Sequence, residues 1–304
     1  MPRIGRELPD TKDVRELFAG ITEAMLKTAK ITNAKKQKGE RNIVDHLFML
    51  LAGLLAGGLG GFLGVGGGIV LMPMLRFGLG MSTAYAAGIT ILAVFFTTLG
   101  GGFKHYRLGH VPLRSLIPVI LSGALSTGVF SLLFLYFARK ERWLDLGIGM
   151  VFLLLSLRMI LDVIRSRGAG KTVDLASGDL VDSCSRKVVL GSLAGILPGL
   201  FGIGTGAVLV PGFAYLLKAP IKTAVGSALV CFAANAFISA AMKSAQGYID
   251  YSVAIPLCIG TLVGSQIGAV INHRSPSVLI QVLFSLVFSW VSLRFILSAL
   301  GVVN

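Results

Sequence analysis

GLLAGGLGGFLGVGGGIVLMP, residues Gly53 to Pro73, returns at Gly191 to Pro211 as GSLAGILPGLFGIGTGAVLVP. The offset is 191 − 53 = 138, and 12 of the 21 positions are identical without a gap. The identities include Gly61/Gly199, Gly64/Gly202, Gly66/Gly204, Gly68/Gly206 and Pro73/Pro211. Self-similarity of this kind within one chain points to construction by duplication. Each copy places a glycine cluster inside an apolar run too long for one ordinary span. In lipid, unwound backbone survives only where protein or a cavity satisfies its polar groups. The two clusters are therefore expected to be helix breaks that meet at a substrate path.

The composition sets the surroundings. Of 304 residues, 54% are hydrophobic and only 14% charged, with a mean hydropathy of +0.81. A soluble domain carries about 25% charge, and several apolar runs here reach the ~20 residues that cross a bilayer as helix. A polytopic, all-α membrane protein is expected. The net charge of +14 would suit nucleic acid, but the basic residues stand singly or in short clusters at the ends of apolar runs. Cytoplasmic loops collect Lys and Arg in that way, so nucleic acid is set aside as a partner. Cys184, Cys231 and Cys258 are odd in number and widely spaced, which gives neither a disulfide framework nor a CxxC metal site. The four histidines lack any metalloenzyme spacing, so no metal, cofactor or catalytic role is expected. No cleavable signal peptide is evident, because the first apolar run begins near Ile43 behind a long charged segment.

In chain order, residues 1–42 form a basic segment in which Lys27, Lys30, Lys35, Lys36, Lys38 and Arg41 precede the first span. Val14, Leu17, Phe18, Ile21 and Met25 recur within it at helical spacing. An amphipathic helix on the cytoplasmic headgroups fits that pattern, and a regulatory or solvated tail fits it equally. Residues 43–165 are expected to form the first transmembrane repeat, 166–187 a polar linker and 188–304 the second repeat. As one helix, residues 43–79 would measure ~55 Å, well beyond a ~30 Å hydrocarbon core, so the run must break. The correspondence continues through Gly88/Gly226, Gly109/Gly247 and Pro118/Pro256 at 138, and Ser156-Leu157-Arg158 returns as Ser292-Leu293-Arg294 at 136. Counting each broken helix as one crossing gives about eight spans, four plus four in parallel repeats, with both termini and the linker cytoplasmic. Arg139, Lys140 and Arg142 then fall outside, against the charge rule. A re-entrant hairpin at each glycine cluster would put the basic 165–187 linker outside, which is worse, so four plus four is preferred; inverted repeats, which need an odd number of crossings per half, remain open.

The glycine clusters lack the βαβ setting of a dinucleotide fingerprint. Small residues also let membrane helices approach closely, which is the structural reading for Gly53, Gly57, Gly61, Gly123 and Gly128. As a break, each cluster points the positive end of a short helix, starting near Ile69 or Ala207, at the path, where it attracts anions. Pro73 and Pro211 are expected in the first turns of those helices, where proline sacrifices no hydrogen bond. Candidate substrate-binding residues are Gly64, Gly66, Gly67, Gly68, Gly202, Gly204, Thr205 and Gly206, with Thr97 and its counterpart Asn235 on the following spans. Lys104, His105 and Lys243 close those spans. They either snorkel to the interface or form an electrostatic collar that draws anions inward. No Asp or Glu is placed deep in any span, whereas carriers that bind cations or relay protons usually bury one. A small anion suits such a path.

At the glycine clusters the chain resembles the TauE/SafE family, the sulfite-exporter or 4-toluene-sulfonate-uptake permeases. The matching features are GxxGxGGGxxxxP at Gly61–Pro73 and GxxGxGxGxxxxP at Gly199–Pro211, then Ala86-x-Gly88 and Ala224-x-Gly226, and the turns GHV and GYI at Gly109 and Gly247. The resemblance covers roughly residues 43–300, and the second copy departs from the first at Thr205, where the first has Gly67. It implies a plasma-membrane permease for sulfite, a sulfonate or a related small oxyanion, and alternating access is the expected mechanism. An anion channel of the same fold, and a sensor or assembly subunit docking a partner through the N-terminal helix, are the alternatives. The anion, the direction of transport, the coupling ion and any homo-oligomer are left open.

Overall fold

The computed structural model describes residues 43–63, 66–107, 111–168, 183–271 and 289–301, all of them in helices and short connections with no strand. The basic N-terminal segment with its expected amphipathic helix, Gly64, most of the linker and the start of the last span lie outside the described residues. α1 spans Ile43–Leu63, and α2 spans Gly68–Pro73 and runs on into a π turn at Met74–Gly78. α3 is Thr83–Arg107, α4 Leu113–Ala138 and α5 Glu141–Gly168. α6, Cys184–Ile196, is prolonged by a π turn at Leu197–Phe201, and α7, Gly206–Pro211, by another at Gly212–Leu216. α8 is Ile221–Ala245, α9 Tyr251–Ile271 and α10 covers 289–299. Among the described residues, five helical stretches are long and apolar enough to cross a membrane: Thr83–Arg107, Leu113–Ala138, Cys184–Phe201, Thr223–Ala245 and Tyr251–Gly268.

Both first helices do break at their glycines, and the prolines sit differently from expectation. Pro73 and Pro211 occupy the sixth residue of their short helices, not the first turn. There the missing N–H does cost an intrahelical bond, and each helix widens into its π turn directly behind the proline.

Glycines at spacing four put one bare stripe on α1, and that stripe meets α9 backbone to backbone. A β-carbon on Gly53 would stand 2.5 Å from the Leu257 carbonyl oxygen, and Gly57 and Gly61 abut Thr261 and Ser265 as closely. α6 does the same to α4: Gly191 lies on Val119, Gly195 on Gly123 and Gly199 on Thr127. Every one of these partners is offset by 138 from its counterpart in the other pair. The close approach admits cross-helix hydrogen bonds, from Ser126 Oγ to the Ser192 carbonyl (2.7 Å) and from Thr127 Oγ1 to the Gly195 carbonyl (3.2 Å). The opposite faces carry Leu47, Leu51 and Leu55 on α1, and Leu121, Leu125, Val129 and Leu132 on α4, all exposed. These are the faces a bilayer would cover.

The same contacts fix helix directions. α1 and α9 run parallel, since later residues of one meet later residues of the other, and α3 runs parallel to α9, with Ala93 at Thr261 and Gly100 at Ser265. α2 runs against α3: Gly68 lies beside Val94 and Thr90, and Thr90 Oγ1 lies 3.9 Å from the Met72 sulfur. The chain therefore reverses at the glycine cluster, and α1 with α2 forms a hairpin instead of one crossing. α3 and α8, which correspond at 138, run antiparallel. Phe95 packs on Phe237 at 5.6 Å between ring centres, Gly102 faces Val230, and Gly226 faces His105. These contacts overturn the parallel arrangement of the two halves, because a glycine cluster lets the chain turn round where a continuous helix could not. Ile43 and the end of α5 then lie at opposite ends of the bundle, so α1 does not start on the linker's side. Arg139, Lys140 and Arg142 share the end where α1 begins.

Candidate site at the two helix breaks

The first reversal needs glycine. Gly66 and Gly67 have φ of 85° and 69°, a left-handed pair that residues with a β-carbon rarely adopt. In the second cluster Gly202 takes φ 66°, and its amide closes the π turn on the Pro198 carbonyl at 3.2 Å. Beyond each turn a short helix starts afresh. The amides of Val70 and Leu71 donate to the Gly67 carbonyl at 3.1 and 3.2 Å, and those of Val208 and Leu209 to the Thr205 carbonyl at 2.9 and 2.8 Å. The amides of Gly68, Ile69, Gly206 and Ala207 precede these first bonds and have no acceptor within their own helices.

The two starts face each other. A β-carbon on Gly68 would stand 3.3 Å from the amide nitrogen of Gly204, and one on Gly66 would touch the Phe232 ring and Val94. Gly68 lies level with Val94, near the middle of α3, so the meeting point is at about mid-height of the bundle. The junction is closed to solvent, with Ile203, Thr205, Val94 and Phe232 all at 0% exposure. The side chains against it, Thr90, Val94 and Phe232, are uncharged, so two positive helix ends converge there without a neutralising carboxylate among those neighbours.

The expected residues divide into three groups. Of Gly66, Gly67, Gly68, Gly202, Gly204, Thr205 and Gly206, Gly68 is brought onto Gly204, while Gly67 packs on Ala56 and Gly202 on Ala87; Gly64 lies outside the described residues. Thr205 does not cap α7 with its side chain, and its buried hydroxyl has no hydrogen-bond partner among the described residues. Asn235 is buried but points at Gly123 of α4, and its Oδ1 likewise has no partner among the described residues. Thr97 is spent on its own helix, donating to the Ala93 carbonyl at 3.0 Å.

The collar takes a different form. Lys243 is fully buried and reaches neither interface. Its Nζ donates to the carbonyls of Pro198 (3.1 Å) and Gly199 (2.7 Å) and to Ser239 Oγ (3.0 Å), and it lies 4.3 Å from the centre of the Phe134 ring. Three donors meet three acceptors, and the ammonium caps the negative end of α6 where the π turn frees its carbonyls. Lys243 is thus a fastener of the second hairpin, and none of its N–H groups is left for an anion. His105 packs over Gly226 between α3 and α8, and the Lys104 side chain lies outside the described residues.

One constellation was not anticipated. Asp145, in the first turns of α5, is 2% exposed. It accepts from Arg76 (2.9 Å), from the Thr83 hydroxyl and from Ser298 Oγ (2.9 Å). Arg76 stands in the π turn behind α2 and also donates to the Met81 carbonyl at 3.2 Å. This aspartate is buried but sits where a helix begins, not deep in a span. Only the burial of a basic residue just behind Pro73 would have betrayed it.

The family profile described as "Sulfite exporter TauE/SafE" matches residues 49–295. The chain is 26% identical over 237 residues to a Bacillus subtilis (strain 168) protein described as "Probable membrane transporter protein YdhB", covering 77% of this chain and 92% of that one. It is 25% identical over 240 residues to "Probable membrane transporter protein MJ0441" of Methanocaldococcus jannaschii, covering 74% and 86%. A Haemophilus influenzae "Probable membrane transporter protein" is 30% identical over 198 residues, covering 61% and 68%. No solved structure matches significantly.

Proposed function

Because the chain belongs to the TauE/SafE sulfite-exporter family of membrane transporters, we propose that it is a plasma-membrane permease that moves a small sulfur oxyanion, sulfite or a sulfonate, by alternating access. The observation that carries the proposal is the meeting of Gly68 with Gly204. Two helix starts, each with amides that lack intrahelical acceptors, face one another at a buried point free of opposing charge on its immediate neighbours. A compact oxyanion offers several acceptors and a negative charge, which is what such ends bind. The Thr205 hydroxyl, present in one cluster only, gives the site a donor on one side, and Asn235 stands further along α8 to receive the anion as it leaves. In this reading the two halves arose by duplication, each pairs a hairpin with three crossing helices, and they are inverted relative to each other. Substrate reaches the junction from one side when one hairpin shifts and from the other side when its counterpart does.

Uptake of labelled sulfite, sulfate and a sulfonate into proteoliposomes, with and without an imposed pH gradient, tests the proposal. Saturable sulfite or sulfonate flux that exchanges with substrate on the far side is expected. Gly66→Leu combined with Gly204→Leu is expected to abolish that flux while the protein still reaches the membrane. Undiminished flux in the double variant contradicts the site.

A further inference from the structure

The geometry points to the Arg76–Asp145 pair as a latch that keeps one end of the path shut, an inference that rests on the permease reading above. α2 is the short helix that carries the first break, and Arg76 stands at its far end. There a single carboxylate gathers α2 through Arg76, α3 through Thr83 and α10 through Ser298 onto α5. The helix so held is a short one, six residues of α-helix followed by a single π turn. It is tied by charge in addition to packing, and charge behaves differently from a greasy contact. Separated ions regain hydration that burial had taken from them, so an ion pair can exist closed and dry or open and wet, with little in between. Arg76 is already at the edge of water, its side chain 19% exposed, while Asp145 is sealed.

The two ends of the bundle are unequal in this respect. The position related to Arg76 by 138 is Ala214, and the one related to Lys243 is His105. Because the corresponding helices run antiparallel, those residues belong to the opposite end. The end where α1 begins therefore has both a buried ion pair under the first hairpin and a buried lysine under the second. The other end has neither at the related positions, and its buried lysine, Lys187, ties the start of α6 to α4 through Ser115 Oγ at 2.8 Å. The latched end opens only when Arg76 and Asp145 part, and α2 then carries its amide end away from Gly204.

A single reporter at the break tests this. In a background of Cys184→Ser, Cys231→Ala and Cys258→Ala, Thr205→Cys supplies one thiol at the junction. A membrane-impermeant thiol reagent is applied to oriented vesicles from the face that carries Arg139 and Lys140. Asp145→Asn and Arg76→Gln are each expected to raise the labelling rate by about tenfold, as removal of the pair moves a minor open state toward the major one. The exchange Arg76→Asp with Asp145→Arg is expected to bring labelling back toward the parent's. Labelling equal to the parent's in both single variants overturns the latch. If those variants fail to insert, Ser298→Ala, which takes one hydroxyl from the carboxylate, decides by the same readout: severalfold faster labelling supports the latch and unchanged labelling refutes it. Labelling needs no substrate, so a protein that moves no sulfite yet responds in this way loses the substrate assignment and keeps the latch. Parental sulfite flux with unchanged labelling in Asp145→Asn does the reverse.

Discussion

Gly53→Ala set beside Gly58→Ala puts a number on how tightly the two halves are clasped. Both substitutions add one methyl to α1 and gain similar helix propensity, about 1 kcal/mol, so propensity cancels in the comparison. On Gly53 the new carbon would stand 2.5 Å from the Leu257 carbonyl oxygen and 3.1 Å from the Leu257 carbonyl carbon and Cα. That is 0.9 Å short of the 3.4 Å at which ordinary contact begins, and the obstacle is backbone, which has no rotamer to escape into. On Gly58 the nearest atom is the Gly264 oxygen at 3.7 Å, and nothing has to move. Overpacking of this kind costs about 1–3 kcal/mol, so Gly53→Ala is expected to be less stable than Gly58→Ala by that amount. Thermal unfolding of the purified proteins in one detergent measures it as a gap of several degrees, at about 2–4 °C per kcal/mol. The contact between α6 and α4 provides its own pair. Gly195→Ala meets the Gly123 oxygen at 2.5 Å, whereas Gly128→Ala meets nothing within 4 Å. Equal midpoints within both pairs would refute the helix contacts on which the directions of α1 and α6 rest.

Two further outcomes follow from the site. Thr205→Val keeps the shape and removes a buried hydroxyl that has no partner among the described residues, so the fold is expected to gain up to about 1 kcal/mol while the KM for sulfite rises; an unchanged KM would remove Thr205 from the site. Lys243→Met takes the ammonium donor from the Gly199 carbonyl, a loss of about 1–3 kcal/mol, while the Pro198 carbonyl keeps the Gly202 amide and the Ser239 hydroxyl; the loss is partly offset because no ammonium is then buried. A net fall in the unfolding midpoint is expected, smaller for Lys243→Arg, and a methionine variant as stable as the parent would show that the fastener contributes nothing.

The sequence was legible where backbone freedom and small side chains write themselves into composition. The clusters Gly64–Gly68 and Gly202–Gly206 announced where helix stops, and the spacing of Gly53, Gly57 and Gly61 announced a bare face. A cluster does not say which way the chain leaves it. A helix that pauses and one that turns back use the same glycines, and only the pairing of Thr90 with Met72 and of Gly68 with Val94 decides. Lys243 was misplaced for a related reason. α8 is apolar almost all round, so its pattern does not mark the buried side, and a lysine in its last turn looks like one that reaches for water. Asp145 was passed over because its partners, Arg76, Thr83 and Ser298, come from three distant parts of the chain. None of them is unusual at its own position.

Close backbone contacts join strangers in sequence: α1 grips α9, and α6 grips α4. Each half reaches across and holds the third long helix of the other, like two people with linked elbows. A motion that swings one half bodily away from its twin must unhook both arms at once, through contacts that leave no slack. What is free to travel is only what the arms do not hold, the two stub helices that double back to the centre. In the permease proposed above, the anion is released by small pieces moving inside a frame that stays shut.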